Sequence, residues 1–258
     1  MAADVDLTSL RTPPPDFRRL VLRSVTDLTP LMRRMVVGGD ELVGFEVPDP
    51  AASVRLLIPE PGAAGLVVPE WRGNEFLYDD GSRPTIRTFT PRRFDPDAHE
   101  MAIDVVLHET GAVTTWLEGA SIGDEVAISG PGRGYDVPTE GTLVLAGDET
   151  ALPAIAQIVE IAPAGVQVRV LAEVRSNEAR LDLVDQDRVR IEWFVADASQ
   201  GERGSMLVDA LGSIDLAGDV HVWAAGEAKV MQAIRTLLRD AGLHRSRMTV
   251  RGYWKDRA

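Results

Sequence analysis

The spacing of apolar residues changes at Gly130-Pro131-Gly132, and one layer of structure cannot serve both halves. Before that point short apolar–polar stretches lie between Gly, Pro and Asp turns. They predict strands over Leu20–Val25, Leu31–Val37, Ser53–Ile58, Thr85–Thr90, Met101–Leu107 and Glu125–Ser129. Short strands with long irregular links predict an antiparallel barrel. The Gly- and Pro-rich stretch Pro59–Pro84 has little periodicity, which marks it as functional or disordered rather than a plain connector.

After the break the runs become continuously apolar. Thr142–Ala146 (TLVLA) has the composition of a parallel strand buried on both faces. A helix pattern follows, with Leu152, Ile155, Ile158 and Val159 on one face. Further strands are predicted at Gln167–Glu173, Val189–Val195 and Val220–Ala224. A second helix after Gly226 carries Val230, Ile234, Leu237 and Leu238 and is closed by Gly242. Alternating strand and helix predicts a doubly wound, Rossmann-like domain. The boundary falls near Val137–Gly141, which divides the chain into domains of residues 1–138 and 139–258.

Composition excludes several classes. With no cysteine, the 258-residue chain has no disulfide, no thiolate metal site and no ligands for an iron–sulfur cluster. A net charge of −13 argues against nucleic acid as a partner. Nearly all positive charge is arginine, the lysines being Lys229 and Lys255. No apolar run approaches the ~20 residues that span a bilayer. The N-terminus, MAADVDLTSLRTPPPDFRR, is polar and is not of signal-peptide type. A cytoplasmic monomer without membrane insertion is the expectation.

Four segments carry chemistry. In Arg87-Thr88-Phe89-Thr90-Pro91-Arg92 a guanidinium beside an aromatic suits a ligand with phosphate and a flat ring, although the hexapeptide alone reads first as an ordinary amphipathic strand. His108-Glu109-Thr110-Gly111-Ala112-Val113-Thr114-Thr115-Trp116 reads as a strand end, a glycine turn and a helix start. Backbone N–H groups there can cradle a pyrophosphate. Gly147-Asp148-Glu149-Thr150-Ala151-Leu152-Pro153 sits at the first strand-to-helix turn of the second domain, where such folds bind ligands. Arg251-Gly252-Tyr253-Trp254-Lys255 puts aromatics beside cations, as packing or as the cover of a flat cofactor.

In order along the chain, RTFTPRRFDPDAHEMAIDVVLHETG, TWLEGASIGDEVAISGPG, LAGDETALPAI, VWAAGEAKVM and RGYWK resemble the siderophore-interacting protein family. These are flavin reductases of the ferredoxin-reductase superfamily. The resemblance runs from about Phe17 to Lys255 and implies a flavin-binding barrel followed by a Rossmann-like domain. It implies FAD as cofactor, NADPH or NADH as electron donor, and a ferric siderophore as substrate, with release of iron(II). No side chain is expected to be catalytic by proton transfer, and no resident metal is expected.

By this resemblance Arg87, Phe89, Thr90 and Arg92 lie on the flavin strand, Val106 and His108 run along the flavin, and Gly111, Val113 and Thr114 form the pyrophosphate turn. Asp148, Glu149, Thr150 and Ala151 match the loop between flavin and nicotinamide. Gly226, Glu227 and Ala228 match a second nucleotide-side loop, and Tyr253 and Trp254 the C-terminal segment near the ring. Arg55, Arg133 and Lys255 match a basic triad that draws in the anionic ferric siderophore.

Two positions depart from the family pattern. Phe89 stands where tyrosine is usual, which removes a hydroxyl contact of roughly 1 kcal/mol. The turn reads Gly111-Ala112-Val113-Thr114 where Gly-Pro-Ala-Ser is usual, and Thr114 keeps a hydroxyl. Arg175 and Arg180, after the second strand of the second domain, are candidates for a 2′-phosphate, which tips the donor slightly toward NADPH. Alternatives are ferredoxin as donor, a flavin reductase serving another acceptor, and a flavin- or siderophore-binding protein without turnover.

Overall fold

The computed structural model describes residues 14–47, 49–109, 111–183, 188–196 and 202–256. Thr110 of the predicted turn and the first 13 residues of the polar N-terminus lie outside them. Among the described residues the first sheet has seven strands: β1 (Arg18–Thr29), β2 (Met32–Gly38), β3 (Val54–Leu57), β6 (Ile86–Phe89), β7 (Pro91–Asp95), β8 (Glu100–Val106) and β9 (Glu125–Ser129). Their order is β6-β3-β9-β1-β2-β8-β7, and every neighbouring pair is antiparallel.

The two edge strands, β6 and β7, are joined through Thr90 alone. One residue cannot span a flat seven-stranded sheet, so the sheet curls into an open barrel that brings its two edge strands near each other. Alternation fills the inside: Leu20 and Leu22 of β1, Met35 and Val37 of β2, and Met101 and Ile103 of β8 share one core. The helix α1 (Ala112–Gly119) caps this core with Val113 and Leu117. Within Pro59–Pro84 the chain forms a small ribbon of β4 (Glu70–Trp71) and β5 (Phe76–Leu77). Phe76 meets Phe17 at 5.0 Å between ring centroids and Trp71 at 5.1 Å, so this stretch is ordered by its aromatics.

The second sheet is parallel, in the order β12 (Val189–Val195), β11 (Val166–Val174), β10 (Gly141–Gly147), β13 (Val220–Glu227), β14 (Met248–Trp254). The continuous apolar run of β10 follows from burial on both faces. Leu143 and Leu145 pack toward α2 (Leu152–Ile161), while Val144 and Ala146 pack toward α3 (Ser205–Gly212) and α4 (Ala228–Asp240). On α4 the fully buried positions are Met231, Ile234 and Leu238, one step round from the face expected from the sequence. Gly242 ends α4 as expected, with Leu243 N–H donating to Leu238 O and Gly242 N–H to Arg239 O.

The two halves share a core. Met32 and Ala51 of the barrel belong to the same buried cluster as Leu152, Ile155 and Trp223, with Leu28, Leu31 and Val106 packed against it. Polar contacts lock the seam: Arg92 forks onto Glu160 of α2, and Arg175 donates to Leu107 O at 2.7 Å. No helix among the described residues is long and apolar enough to cross a membrane.

Candidate functional site

The parallel sheet reverses its winding between β10 and β13, and their carboxyl ends carry Gly147-Asp148 and Gly226-Glu227. Ligands of doubly wound sheets bind at this switch point. Asp148, 5% exposed, organises the spot. Its Oδ1 accepts from Thr150 N–H at 2.9 Å and from the Thr150 hydroxyl. Its Oδ2 accepts from Glu227 N–H at 3.0 Å and from the Trp254 indole at 2.8 Å. Glu227 in turn caps α4, accepting from Lys229 and Val230 N–H. Burial alone would raise its pKa, but the Val230, Asp256 and Lys229 N–H groups and the Lys229 charge hold it below the usual range.

Two more buried carboxylates stand on the same rim. Glu149 binds Arg175 through N–H and guanidinium. That guanidinium is therefore committed to the domain seam, which corrects the expectation that it serves a 2′-phosphate. Arg180 is exposed and lies over the Trp193 ring at 5.8 Å. Glu173, 3% exposed, accepts among the described residues only from Gly204 N–H, at 2.9 and 3.0 Å. Burial raises its pKa, reinforced by Asp148 and Glu149 and opposed by the Gly204 bond and Arg203. Ala151 is fully buried in the core, so it shapes the loop by packing. Gly226 and Ala228 flank Glu227 at the head of α4.

The barrel carries the other candidate residues. Arg87 is exposed, and among the described residues its guanidinium donates only to the neighbouring Ile86 O. Phe89 pairs with Val54 and rests half-buried against the barrel core. Thr90 is buried at the joint between the edge strands, beside the phenol of Tyr253. Burial raises the Tyr253 pKa, and its polar neighbours Thr90 and Arg251 oppose that rise. The Arg92 guanidinium is paired with Glu160 of α2. Val106 faces the shared core, while His108 is exposed where β8 ends.

The head of α1 suits a pyrophosphate. Gly111 precedes the helix, and no described side chain caps it. A Cβ on Gly111 would come within 2.6 Å of His108 Nε2 and 2.8 Å of Thr114 Oγ1, so a side chain there would have to displace the exposed His108 ring and the Thr114 hydroxyl. The Thr114 hydroxyl accepts from His108 N–H at 3.3 Å and fixes the turn. Val113 buries its side chain in the barrel, leaving only its N–H for an anion. An exposed guanidinium, an uncapped helix start and half-buried aromatics fit a flavin dinucleotide. No group of described residues is arranged to hold a metal ion.

Of the cations, Arg55 lies opposite Thr88 and Ser129 across neighbouring strands. With Ser53 and Gly132 these residues line one cavity of about 70 Å³, and Arg133 follows Gly132 directly. Lys255 is exposed past the end of β14. Sequence reasoning missed Gln157, Glu173 and Arg203 and singled out Arg251 without its partners, which for all four are remote in sequence.

Comparison with known proteins agrees with this geometry. Residues 21–135 match the siderophore-interacting FAD-binding domain, and residues 141–257 match the siderophore-interacting protein domain. The NADPH-dependent ferric-chelate reductase of Escherichia coli is 30% identical over 92% of this chain and 92% of its own. The ferric vibriobactin reductase ViuB of Vibrio cholerae is 27% identical over 86% and 83%. A siderophore utilization protein from T. fusca superimposes with TM-score 0.84 at 31% identity over 96% of both chains. With both domain models matched in chain order and these relatives aligned along nearly its whole length, the chain belongs to the siderophore-interacting protein family.

Proposed function

We propose that the protein is an FAD-dependent NAD(P)H:ferric-siderophore reductase that releases iron(II), acting as a monomer in the cytoplasm. The observation that carries this reading is the switch point of the nucleotide domain, where Trp254 donates to Asp148, set in a domain whose Gln157 donates to Pro91 O at the end of the flavin strand.

In this reading the Arg87 guanidinium and the first N–H groups of α1 hold the pyrophosphate. Phe89, Thr90, Val106 and His108 border the ring, and Tyr253 and Trp254 cover it. Bound FAD supplies the conversion between a two-electron hydride donor and a one-electron ferric acceptor. Asp148, Glu149, Thr150 and Ala151, with Gly226, Glu227 and Ala228, shape the nicotinamide pocket. Their carboxylates are consumed in holding N–H groups and Trp254, so they orient rather than transfer protons. Arg55, Arg133 and Lys255 attract the anionic ferric complex. Its hard oxygen ligands suit iron(III), and reduction weakens that match. Arg180 remains for a 2′-phosphate, which with the E. coli relative favours NADPH.

Anaerobic mixing tests the reading. The protein is expected to retain FAD and not FMN, to bleach with NADPH, and to regain its colour with a ferric catecholate or hydroxamate siderophore. Bleaching with recovery only by dyes or oxygen would make it a general flavin reductase. No bleaching with either nucleotide would point to ferredoxin as donor or to a binding protein.

A further inference from the structure

We propose that Arg251 and Gln157 are positioning residues of the siderophore-capture site, holding two barrel loops together so that Arg55 and the Gly132-Arg133 turn meet at one cavity. This rests on the reading of Arg55 and Arg133 given above. Both residues belong to the nucleotide domain, so the capture site is built across the seam and not by the barrel alone.

The guanidinium of Arg251 on β14 is a three-way clamp. Its Nη1 donates to Ala51 O at 3.0 Å and to Arg133 O at 3.2 Å, and its Nη2 donates to Gly134 O at 2.5 Å. No carboxylate among the described residues pairs with it, so its donors are spent on three carbonyls from the two loops. Gln157 on α2 completes the grip. Its Oε1 accepts from Ala51 N–H at 2.9 Å, and its Nε2 donates to Pro91 O at 2.6 Å, one residue beyond Thr90. Both backbone groups of Ala51 are thus held from the other domain.

Ala51 shows what that grip accomplishes. It is buried with φ 54°, in the left-handed region that an alanine avoids unless its surroundings impose it. The turn there lets the loop lie along residues 130–135. Gly132 N–H donates to Ser53 O at 2.6 Å and Tyr135 N–H to Pro50 O at 2.9 Å. Gly134 lies so close to Asp49 that a Cβ would collide with the Asp49 side chain. Arg55 lies four residues beyond Ala51, and Arg133 lies between the two glycines. Release of the clamp would let the Gly132-Arg133 turn move away from the cavity that Arg55 lines.

Arg251→Lys tests this, because it keeps the charge and removes the fork. In the FAD-loaded full chain, amide exchange across residues 50–54 and 130–136 should quicken about tenfold, as expected for losing about one net hydrogen bond, while β10 and β13 stay protected. Reoxidation by an anionic ferric siderophore should slow about tenfold, with bleaching by NADPH within about twofold of wild type. In an Arg133→Ala background the same substitution should cost less than about twofold more, since residues acting as a unit are not additive. Gln157→Leu should reproduce the exchange result if Arg251→Lys does not fold. Unchanged exchange, full rescue by lysine, or additive losses with Arg133→Ala would overturn the proposal. If wild-type protein is not reoxidised by any ferric siderophore, the functional reading falls, and the exchange measurement alone decides the clamp.

Discussion

The indole Nε1 of Trp254 donates to Asp148 Oδ2 at 2.8 Å, across 106 residues of sequence. The guanidinium of Arg203 lies over the same indole at 5.5 Å. The end of the last strand is therefore fastened to the loop after the first parallel strand, at the switch point. A buried aspartate with four neutral donors needs both oxygens as acceptors. In Asp148→Asn an amide N–H would face an N–H or indole donor. The expected cost is about 1–3 kcal/mol, or roughly 2–4 °C in Tm per kcal/mol for a chain of this size. Trp254→Phe should cost about 1 kcal/mol by the same bond. Thermal unfolding of the apoprotein checks both, and an unchanged Tm in Asp148→Asn would show that the network contributes no stability.

Glu173 makes a pH prediction whose sign follows from its burial. Its pKa is raised in the folded protein, so folding favours its protonated form. That contribution is fully present below the ordinary value of 4.5 and is lost as pH climbs through the raised pKa. At neutral pH the buried charge is a liability. Glu173→Gln keeps an oxygen for Gly204 N–H and removes the charge. It should melt above wild type at pH 7, and the gain should vanish below pH 4.5. A gain independent of pH would mean that the charge is not the cause.

At Ala51 the strain itself can be measured. A non-glycine residue in the left-handed region costs roughly 1–2 kcal/mol, while glycine loses roughly 0.4–1 kcal/mol through its freer unfolded chain. Ala51→Gly should therefore be neutral or stabilising by up to about 1 kcal/mol. Ala51→Val, β-branched and buried, should cost more than about 2 kcal/mol. Equal destabilisation by both, read from denaturant midpoints, would show that φ at this site carries no strain.

Much of this was legible in the sequence, because burial leaves a period. TLVLA is apolar at every position after Thr142 since helices cover both faces of β10, and β1, β2 and β8 alternate because one face meets the barrel core. The strand β7 was not legible: it begins at Pro91 and carries two arginines, one of them drawn to Glu160 of the other domain. The same is true of Gln157 and Arg251. Their partners lie 106 and 200 residues away, so nothing local distinguishes them from other surface polar groups. Arg175 misled for the converse reason. Its place after β11 suits a phosphate, but the partners that occupy it, Glu149 and Leu107 O, come from elsewhere in the chain.

Substrate capture sets local charge against global charge. At −13 the protein repels an anionic ferric complex at long range, so the attraction must come from a few cations close to the docking point. Lys255 is exposed, and no carboxylate lies within salt-bridge distance of it among the described residues. An exposed charge pair at ~4 Å is worth about 1 kcal/mol in water, which corresponds to roughly a fivefold change in affinity. Lys255→Ala should accordingly raise the apparent KM for an anionic siderophore about fivefold, with bleaching by NADPH nearly unchanged. The Debye length falls from about 10 Å at 0.1 M salt to about 3 Å at 1 M, so the gap between variant and wild type should close with added salt. A neutral ferric complex should show no gap at any salt. If reoxidation by the anionic complex is the same in Lys255→Ala and wild type at low salt, Lys255 is an ordinary solvated chain end. Capture would then rest on Arg55 and Arg133, the two cations beside the cavity that Arg251 holds in shape.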